Sequence, residues 1–183
     1  MVIDYAFGTF LAKVSSVLYP EKIPAIVAVA LRGIDLPTDI AKMPFITGNT
    51  SLPIPERLKA LQMAFFAPNH DAHIWIDGCV RRGLRDGRRR WYPDILAMEH
   101  AAVQAYGSLA SRWGGADTTQ VLELIPADDP FQPQAQWNVT TNLYPDRATS
   151  KVIADASHAL FPEQGKTVLE AVLPWLNQQG SHI

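Results

Sequence analysis

Three short, mainly apolar runs constrain the fold of this chain more than any other feature of its sequence. They occupy residues 26–30, 121–125 and 151–154. Apolar runs of about four to eight residues are typical of strands that are buried on both faces of a parallel sheet. Residues 9–19 and the segment from Glu163 onward show helical periodicity instead, and Pro174 predicts a bend in the second segment. Strands and helices that alternate at these lengths predict an α/β fold with a short parallel sheet.

Length, charge and composition restrict the class of protein. The 183 residues are enough for one domain, and 48% of them are apolar, which is enough for a hydrophobic core. Sixteen basic residues nearly balance 18 acidic ones, so the net charge gives no attraction to nucleic acid or to an anionic membrane. No apolar run reaches the roughly 20 residues that span a bilayer, and the first residues lack the features of a secretory signal. We therefore expect a cytoplasmic protein with no nucleic-acid or membrane partner.

The stretch from residue 36 to residue 115 differs from the rest because it carries no convincing strand pattern. It contains three predicted helical segments, at residues 55–67, 71–80 and 92–112. We predict a single domain over residues 1–183, with three strands plus a stub at residues 1–3, in which residues 36–115 form a helical cap insert. Such an insert usually lies over the carboxyl edge of a parallel sheet, where ligands bind. Its aromatic residues would line an apolar pocket or pack in its core: Phe65, Phe66, Trp75, Trp91 and Trp113.

An acidic residue and a histidine follow two of the predicted strands. Asp129 comes just after the run at residues 121–125, and His158 lies in the loop after the run at residues 151–154. Because parallel strands end at the same edge of a sheet, these side chains can approach to hydrogen-bonding distance. A carboxylate bonded to one imidazole nitrogen fixes the tautomer and leaves the other nitrogen free to accept a proton. The alternative is an acidic turn and an ordinary loop histidine, since both residue types are common at strand ends.

Around these two residues the chain resembles the α/β-hydrolase family. Residues 125–133 are similar to the loop that carries the family's acid, with Asp129 at the position of the acid. Residues 156–164 are similar to the loop that carries its histidine, with His158 in place. The resemblance extends along essentially the whole chain. It does not extend to the strands that precede the nucleophile in a full member, nor to the loop that supplies half of the oxyanion hole.

The nucleophile elbow of the family, G-x-S-x-G, falls on D-Y-A-F-G at residues 4–8, and A-F-F-A-P at residues 64–68 repeats a cap segment of bacterial-type members. Ala6 replaces the serine, and a methyl group cannot attack a carbonyl. Asp4 replaces the first glycine, where a residue without a side chain is favoured. Tyr5 and Phe7 are candidates for an oxyanion or pocket position, since a tyrosine hydroxyl can donate near an oxyanion, but the resemblance favours a packing role for Tyr5.

The resemblance implies an enzyme that acts on a small, largely apolar molecule in small-molecule or secondary metabolism. Without a serine, His158 would be the general base or acid and Asp129 its orienting partner, in ester or lactone hydrolysis or in a related lyase or cyclisation step. Two alternatives remain open. One is a degenerate, non-catalytic protein that only binds a ligand or a partner. The other is a truncated gene model, whose uncovered sheet edge predicts self-association.

The remaining reactive residues have simpler explanations than catalysis. Ser157 lies beside the histidine in sequence, but neighbouring loop side chains rarely point at each other. Cys79 is most simply a small buried apolar residue. His70 and His73 would share a helical face but have no third ligand, so we expect no metal and no cofactor. Residues 81–90 carry six arginines, but their glycines and lack of aromatic residues favour a solvated loop over a phosphate site.

Overall fold

A four-stranded parallel sheet organises the chain. The computed structural model describes residues 1–31, 36–49, 51–75, 91–106 and 118–180. The strands lie in the sheet in the order of the sequence: β1 (Val2–Tyr5), β2 (Ala25–Val29), β3 (Gln120–Pro126) and β4 (Ala148–Ile153). All three pairings are parallel. The α/β fold with a short parallel sheet is therefore confirmed.

Helices connect the strands and follow the last one. Within the described residues they are α1 (Phe7–Leu18), α2 (Thr38–Gly48), α3 (Ile54–Phe65), α4 (Trp91–Tyr106), α5 (Val139–Leu143) and α6 (Leu160–Gly180). Helices α2, α3 and α4 lie between β2 and β3 in the chain, where the sequence predicts a helical insert. That this insert covers the sheet edge as a cap stays a prediction. None of the helices in these ranges is long and apolar enough to cross a membrane.

The two faces of the sheet are covered by different helices. Val27 and Val29 of β2 belong to the same buried cluster as Val168 and Val172 of α6. The alternate residues of β2 face the other way, where Ala28 packs with the α1 side of the core. All five residues of β2 are buried. Burial on both faces explains why this strand is a continuous apolar run in the sequence.

Two helices differ from their predicted form. Helix α2 does not follow from the sequence pattern, because Pro44 lies in its middle and because none of its residues is buried, which weakens the periodic signal. In α6 the residue with non-helical dihedral angles is Gln164, with φ −133° and ψ 37°, whereas the sequence predicts the bend at Pro174. The Gln164 side chain donates a hydrogen bond to the backbone oxygen of Asp155, which holds the first turn of α6 to the preceding loop.

Some predicted features lie partly or wholly outside the residues that the structure describes. The segment predicted as a helix at residues 71–80 is described as far as residue 75 and is helical at residues 73–75. Cys79, the arginine-rich residues 81–90 and Trp113 lie outside the described residues. These predictions therefore remain predictions.

The turn between β1 and α1 concentrates backbone strain at Ala6. Its dihedral angles are φ 51° and ψ −121°, a conformation that residues with a side chain rarely adopt and that costs on the order of 1–3 kcal/mol. Its backbone N–H donates to the carbonyl oxygen of Val29 at 2.9 Å, and α1 begins at the next residue, Phe7. A sharp, strained strand-to-helix turn is the backbone shape of a nucleophile elbow.

Asp4 and Gly8, which flank the turn at Ala6 in the sequence, lie next to each other in space, and the side chain of Asp4 fills the position of a Cβ atom on Gly8. A Cβ atom on Gly8 would lie 1.8 Å from Oδ1 and 2.5 Å from Cγ of Asp4. The side chain of Asp4 instead turns toward its own backbone, where Oδ1 accepts a hydrogen bond from the N–H of Tyr5 at 2.9 Å. Only one of the two positions can therefore carry a side chain, which explains why Asp4 is tolerated in place of a glycine.

Gly8→Ala should lower the free energy of unfolding by about 1–3 kcal/mol, because the Asp4 side chain must leave its present position. In an Asp4→Gly background the same substitution should cost less than about 1 kcal/mol, since the space is then empty and alanine favours the helix. Chemical denaturation of the four proteins measures this coupling. Gly165→Ala is the control, because no atom lies within 4 Å of the added methyl group. An equal cost of Gly8→Ala in both backgrounds would contradict the shared-space explanation.

Within the described ranges, the outer edge of β1 is an unpaired edge of the sheet. No strand in the described ranges pairs with it on that side, and Met1 and Ile3 are 54% and 50% exposed. The other terminal strand, β4, exposes Val152 (44%) but also the charged Lys151. A lysine on an edge strand opposes pairing with another strand, whereas exposed apolar residues favour it.

We expect the chain to self-associate through β1, with a second copy as the partner. Sedimentation equilibrium should show a mass that rises with concentration, and Ile3→Lys should shift the population toward monomer, because the new charge opposes edge pairing. Leu169→Lys is the matched control, since Leu169 is an equally exposed apolar residue on α6. A monomer at all concentrations, or equal effects of the two substitutions, would refute this expectation.

Candidate active site

Asp129 and His158 meet at the carboxyl edge of the sheet, in the loops after β3 and β4. Nδ1 of His158 lies 2.9 Å from Oδ2 of Asp129, and the two side chains are 8% and 0% exposed. The second carboxylate oxygen of Asp129 accepts a hydrogen bond from the backbone N–H of Phe131 at 2.8 Å. The carboxylate is thus held in place by its own loop while it accepts the Nδ1–H of the imidazole. This arrangement fixes the tautomer in which Nε2 carries the free lone pair.

Nε2 of His158 has no hydrogen-bond partner in the described part of the chain. Aromatic rings pack around the imidazole, with ring centroids 4.6 Å away for Phe131 and 5.4 Å away for both Phe65 and Tyr5. A buried imidazole in an apolar shell, with one nitrogen bonded to a carboxylate and the other available, is suited to accept a proton.

The hydroxyl of Tyr5 is bonded to the backbone of the histidine. Its hydroxyl donates a hydrogen bond to the backbone carbonyl oxygen of His158. Burial raises the pKa of Tyr5 well above its usual value, and the charges of Asp129 and Glu163 raise it further, so the hydroxyl keeps its proton. That proton is engaged by the His158 carbonyl, so the oxyanion position suggested for Tyr5 would need the hydroxyl to leave this bond.

Phe7 offers a backbone group at the same edge. It is the first residue of α1, a position at which the backbone N–H has no acceptor within the helix. Its ring stacks on that of Phe10 at a centroid distance of 5.4 Å. Of the two residues flanking Ala6, Phe7 is therefore the one whose N–H is suited to stabilise an oxyanion.

The side chain at the elbow and its nearest substitute both lack a nucleophilic role in this arrangement. Ala6 presents a methyl group at the strained turn. The hydroxyl of Ser157 donates to the backbone oxygen of Asp128 at 3.1 Å and not to the imidazole. Among the described residues, the structure therefore brings together a histidine and an acid, and neither Ala6 nor Ser157 supplies a nucleophile to them.

The two other described histidines discussed above each contact a carboxylate of their own. Nε2 of His70 lies 3.3 Å from Oδ2 of Asp155, and Nδ1 of His73 lies 2.6 Å from Oδ1 of Asp71. Hydrogen bonds from the backbone and side chain of His73 lower the pKa of Asp71. No group of three potential metal ligands occurs in the described ranges.

Two residues that contribute to the site were not identified from the sequence. Phe131 packs closest to the imidazole, and Glu163 accepts backbone hydrogen bonds from the histidine loop and from the segment after α3. A glutamate in the first turn of a helix is itself a recognisable signal, because acidic side chains are stabilised there. The hydrogen bond between Glu163 and Ala67 joins distant parts of the chain, so no local sequence pattern predicts it.

Comparison with known proteins identifies the architecture. Neither a family model nor a curated protein sequence matches the chain. Among solved structures, a protein described as a lipase from Acinetobacter baumannii matches with a TM-score of 0.78 at 13% identity, over 99% of this chain and 61% of its own. A meta-cleavage product hydrolase from Pseudomonas fluorescens matches with a TM-score of 0.68 at 19% identity, over 97% and 64%. A thermophilic esterase matches with a TM-score of 0.67 at 18% identity, over 97% and 66%.

The chain thus spans 61–66% of the length of these three structures. At such low identity the likeness concerns the fold, and it extends over nearly every residue of this chain. The order of strained turn, acid and histidine along parallel strands agrees with it. The chain has the α/β-hydrolase fold.

Proposed function

We propose that this protein is a hydrolase in which His158 and Asp129 activate water against a small, largely apolar ester or lactone. One observation supports the proposal above the others. The imidazole is buried, its Nδ1 lies 2.9 Å from the carboxylate, and its Nε2 has no partner in the described part of the chain. The esterase, the lipase and the meta-cleavage product hydrolase that share the fold support the reaction class.

In the proposed reaction, Nε2 of His158 removes a proton from a water molecule as its oxygen attacks the carbonyl carbon. Asp129 stabilises the imidazolium that forms, and the backbone N–H of Phe7 stabilises the oxyanion of the tetrahedral intermediate. The imidazolium then returns its proton to the departing alkoxide, so that the products are a carboxylic acid and an alcohol. A lyase or cyclisation step would use the same base to remove a proton from the substrate itself.

The rate of such an enzyme should be modest. General base catalysis contributes about 10²–10⁴-fold, and each missing oxyanion donor costs about 10²–10³-fold. Because water is the nucleophile, no acyl-enzyme forms. The rings of Phe65 and Phe131, which pack on the imidazole, favour an apolar substituent next to the reacting carbonyl.

A non-catalytic protein that binds a ligand or a partner is the second candidate. The observation in its favour is Ala6, because the chain retains the strained turn of the elbow without the group that uses it. The two candidates differ in whether removal of the imidazole changes a measurable rate.

His158→Ala should lower kcat/KM by at least about 10²-fold on aryl esters or lactones, and Asp129→Asn should lower it by about 10²–10⁴-fold through the wrong tautomer. His73→Ala is the matched control, because His73 also pairs with an aspartate but at an exposed position. The time course should show no burst of the alcohol product. Equal rates for the unmodified protein and His158→Ala would contradict the hydrolase and favour the binding protein.

Ala6→Ser should create a serine nucleophile, since the turn is already formed and Nε2 of His158 is available to take the hydroxyl proton. We expect covalent labelling by a fluorophosphonate and a burst of product from an activated ester. The double variant Ala6→Ser/His158→Ala should lose both signals. A folded Ala6→Ser protein that is not labelled would show that the turn does not direct its side chain at the histidine.

A further inference from the structure

We infer that Glu163 is a positioning residue that clamps the loop of His158 to the end of α3, so that the imidazole and its aromatic wall are held as one unit. The catalytic consequence of this inference rests on the proposed function. The clamp itself rests on the contacts of Glu163 and can be tested without any substrate.

The carboxylate of Glu163 joins two segments that are far apart in the sequence. Oε2 accepts a hydrogen bond from the backbone N–H of Ser157 at 2.6 Å, and Oε1 accepts one from the backbone N–H of Ala67 at 2.6 Å. Ser157 directly precedes the histidine, and Ala67 follows the end of α3 by two residues. Hydrogen bonds to an ionised acceptor are about twice as strong as neutral ones.

The residue on the other side of the histidine is tied to the same segment. The backbone N–H of Ala159 donates to the carbonyl oxygen of Phe65 at 2.6 Å. The ring of Phe65 in turn packs edge-on against the imidazole of His158, with 5.4 Å between the centroids. The hydroxyl of Tyr5 binds the carbonyl of His158 itself. Three consecutive residues of the histidine loop are therefore fixed, and Glu163 supplies the first of the three attachments.

Weaker, more exposed contacts also join the segment after α3 to the loop that precedes His158. Nδ2 of Asn69 donates to Oδ1 of Asp155 at 3.3 Å, and Nε2 of His70 lies 3.0 Å from the backbone oxygen of Asp155. These groups are exposed, and exposed polar pairs contribute little to stability. The bridge through Glu163 is partly buried, so it is the stronger polar link between α3 and the loop.

Only an ionised glutamate has the acceptors and the length that the clamp needs. A carboxylate presents two strong oxygen acceptors, whereas a protonated carboxyl has one strong acceptor and one hydroxyl oxygen that accepts poorly, and a glutamine amide has one acceptor and one NH₂ donor. Protonation therefore weakens one of the two hydrogen bonds, and Glu163→Gln leaves one N–H group without an acceptor. Aspartate keeps the charge but is shorter by one methylene group and cannot span the same two donors without a shift of the backbone.

The environment of Glu163 makes the clamp sensitive to acid. Burial raises the pKa of Glu163, and the charge of Asp155 raises it further, while the N–H groups of Ser157 and Ala67 and the charge of His70 act in the opposite direction. Tyr5, on β1, also faces the carboxylate, but its own raised pKa keeps it neutral.

A raised pKa in the folded state means that this carboxyl group favours folding below its unfolded pKa. That contribution to stability decreases as the pH rises from the pKa of Glu163 in the unfolded chain to its pKa in the folded protein. The clamp itself needs the ionised form, so it becomes complete only above the folded pKa.

The clamp can be tested by following the backbone amide signals of Ser157 and Ala67 in NMR spectra as a function of pH. Both signals should move in a single titration with one midpoint above the usual glutamate pKa, because one carboxyl group bonds to both. Glu163→Gln should abolish this shared titration. Glu170→Gln, which changes an exposed glutamate on the same helix, should leave it unchanged. Different midpoints for the two amides, or a shared titration that persists in Glu163→Gln, would overturn the inference.

The effect on the imidazole separates positioning from general stability. In Glu163→Gln, the Nδ1–H proton of His158 should exchange with water at least about 10-fold faster, while the thermal unfolding transition remains cooperative. For the active enzyme, kcat should fall about 10-fold or more with little change in KM, since a small misplacement of a catalytic group costs this much. Glu163→Asp should behave like Glu163→Gln, because aspartate keeps the charge but not the length that reaches both N–H groups. An unchanged proton exchange rate in a folded Glu163→Gln protein would refute the positioning role.

The two proposals fail in different ways. If His158→Ala has no effect on any rate while the amides of Ser157 and Ala67 titrate together, the hydrolase proposal is wrong and the clamp stands. If His158→Ala abolishes activity but the amides titrate separately, the hydrolase proposal stands and the clamp is wrong.

Discussion

The parallel pairing of β3 with β4 decides where Asp129 and His158 lie. The register matches Pro126 with Ile153, and hydrogen bonding continues past the strand ends, from the N–H of Ala127 to Ile153 and from the N–H of Asp128 to Ala156. The two loops therefore leave the sheet side by side and carry the acid and the histidine with them. A shift of this register would separate the two side chains even if both strands remained.

A buried hydrogen bond between Glu123 of β3 and Gln132 fixes the loop that carries Asp129. Glu123 interrupts the apolar run of β3 and is almost completely buried, yet it accepts a hydrogen bond from Nε2 of Gln132 at 2.8 Å. Lys13 of α1 is buried on the same side, where burial lowers its pKa and the charge of Glu123 partly opposes that change. Because Gln132 lies in the turn that starts at Asp129, this contact ties the Asp129 loop to the sheet. A charged residue inside an apolar strand run is thus a signal of such an anchor.

The sequence predicts the features that depend on burial and chain order, and not those that depend on distant single contacts. Residues 26–30 were predictable because β2 is buried on both faces, and the approach of Asp129 to His158 follows from the parallel arrangement of their strands. The helix α2 was not predictable, since it buries none of its residues. The contacts from Tyr5 to His158 and from Glu163 to Ala67 join residues 153 and 96 positions apart, so no local pattern announces them.

The strained turn at Ala6 is maintained by interactions that do not involve catalysis. Its N–H is paired with Val29 of β2, and its carbonyl oxygen accepts the hydroxyl of Thr9 at 2.6 Å. These bonds, together with the packing of α1 on the sheet, are enough to offset strain on the order of 1–3 kcal/mol. The persistence of the turn is therefore weak evidence of activity in a protein that has alanine there. The stronger evidence is the histidine, because its buried imidazole has one nitrogen oriented by a carboxylate and the other without a partner in the described part of the chain.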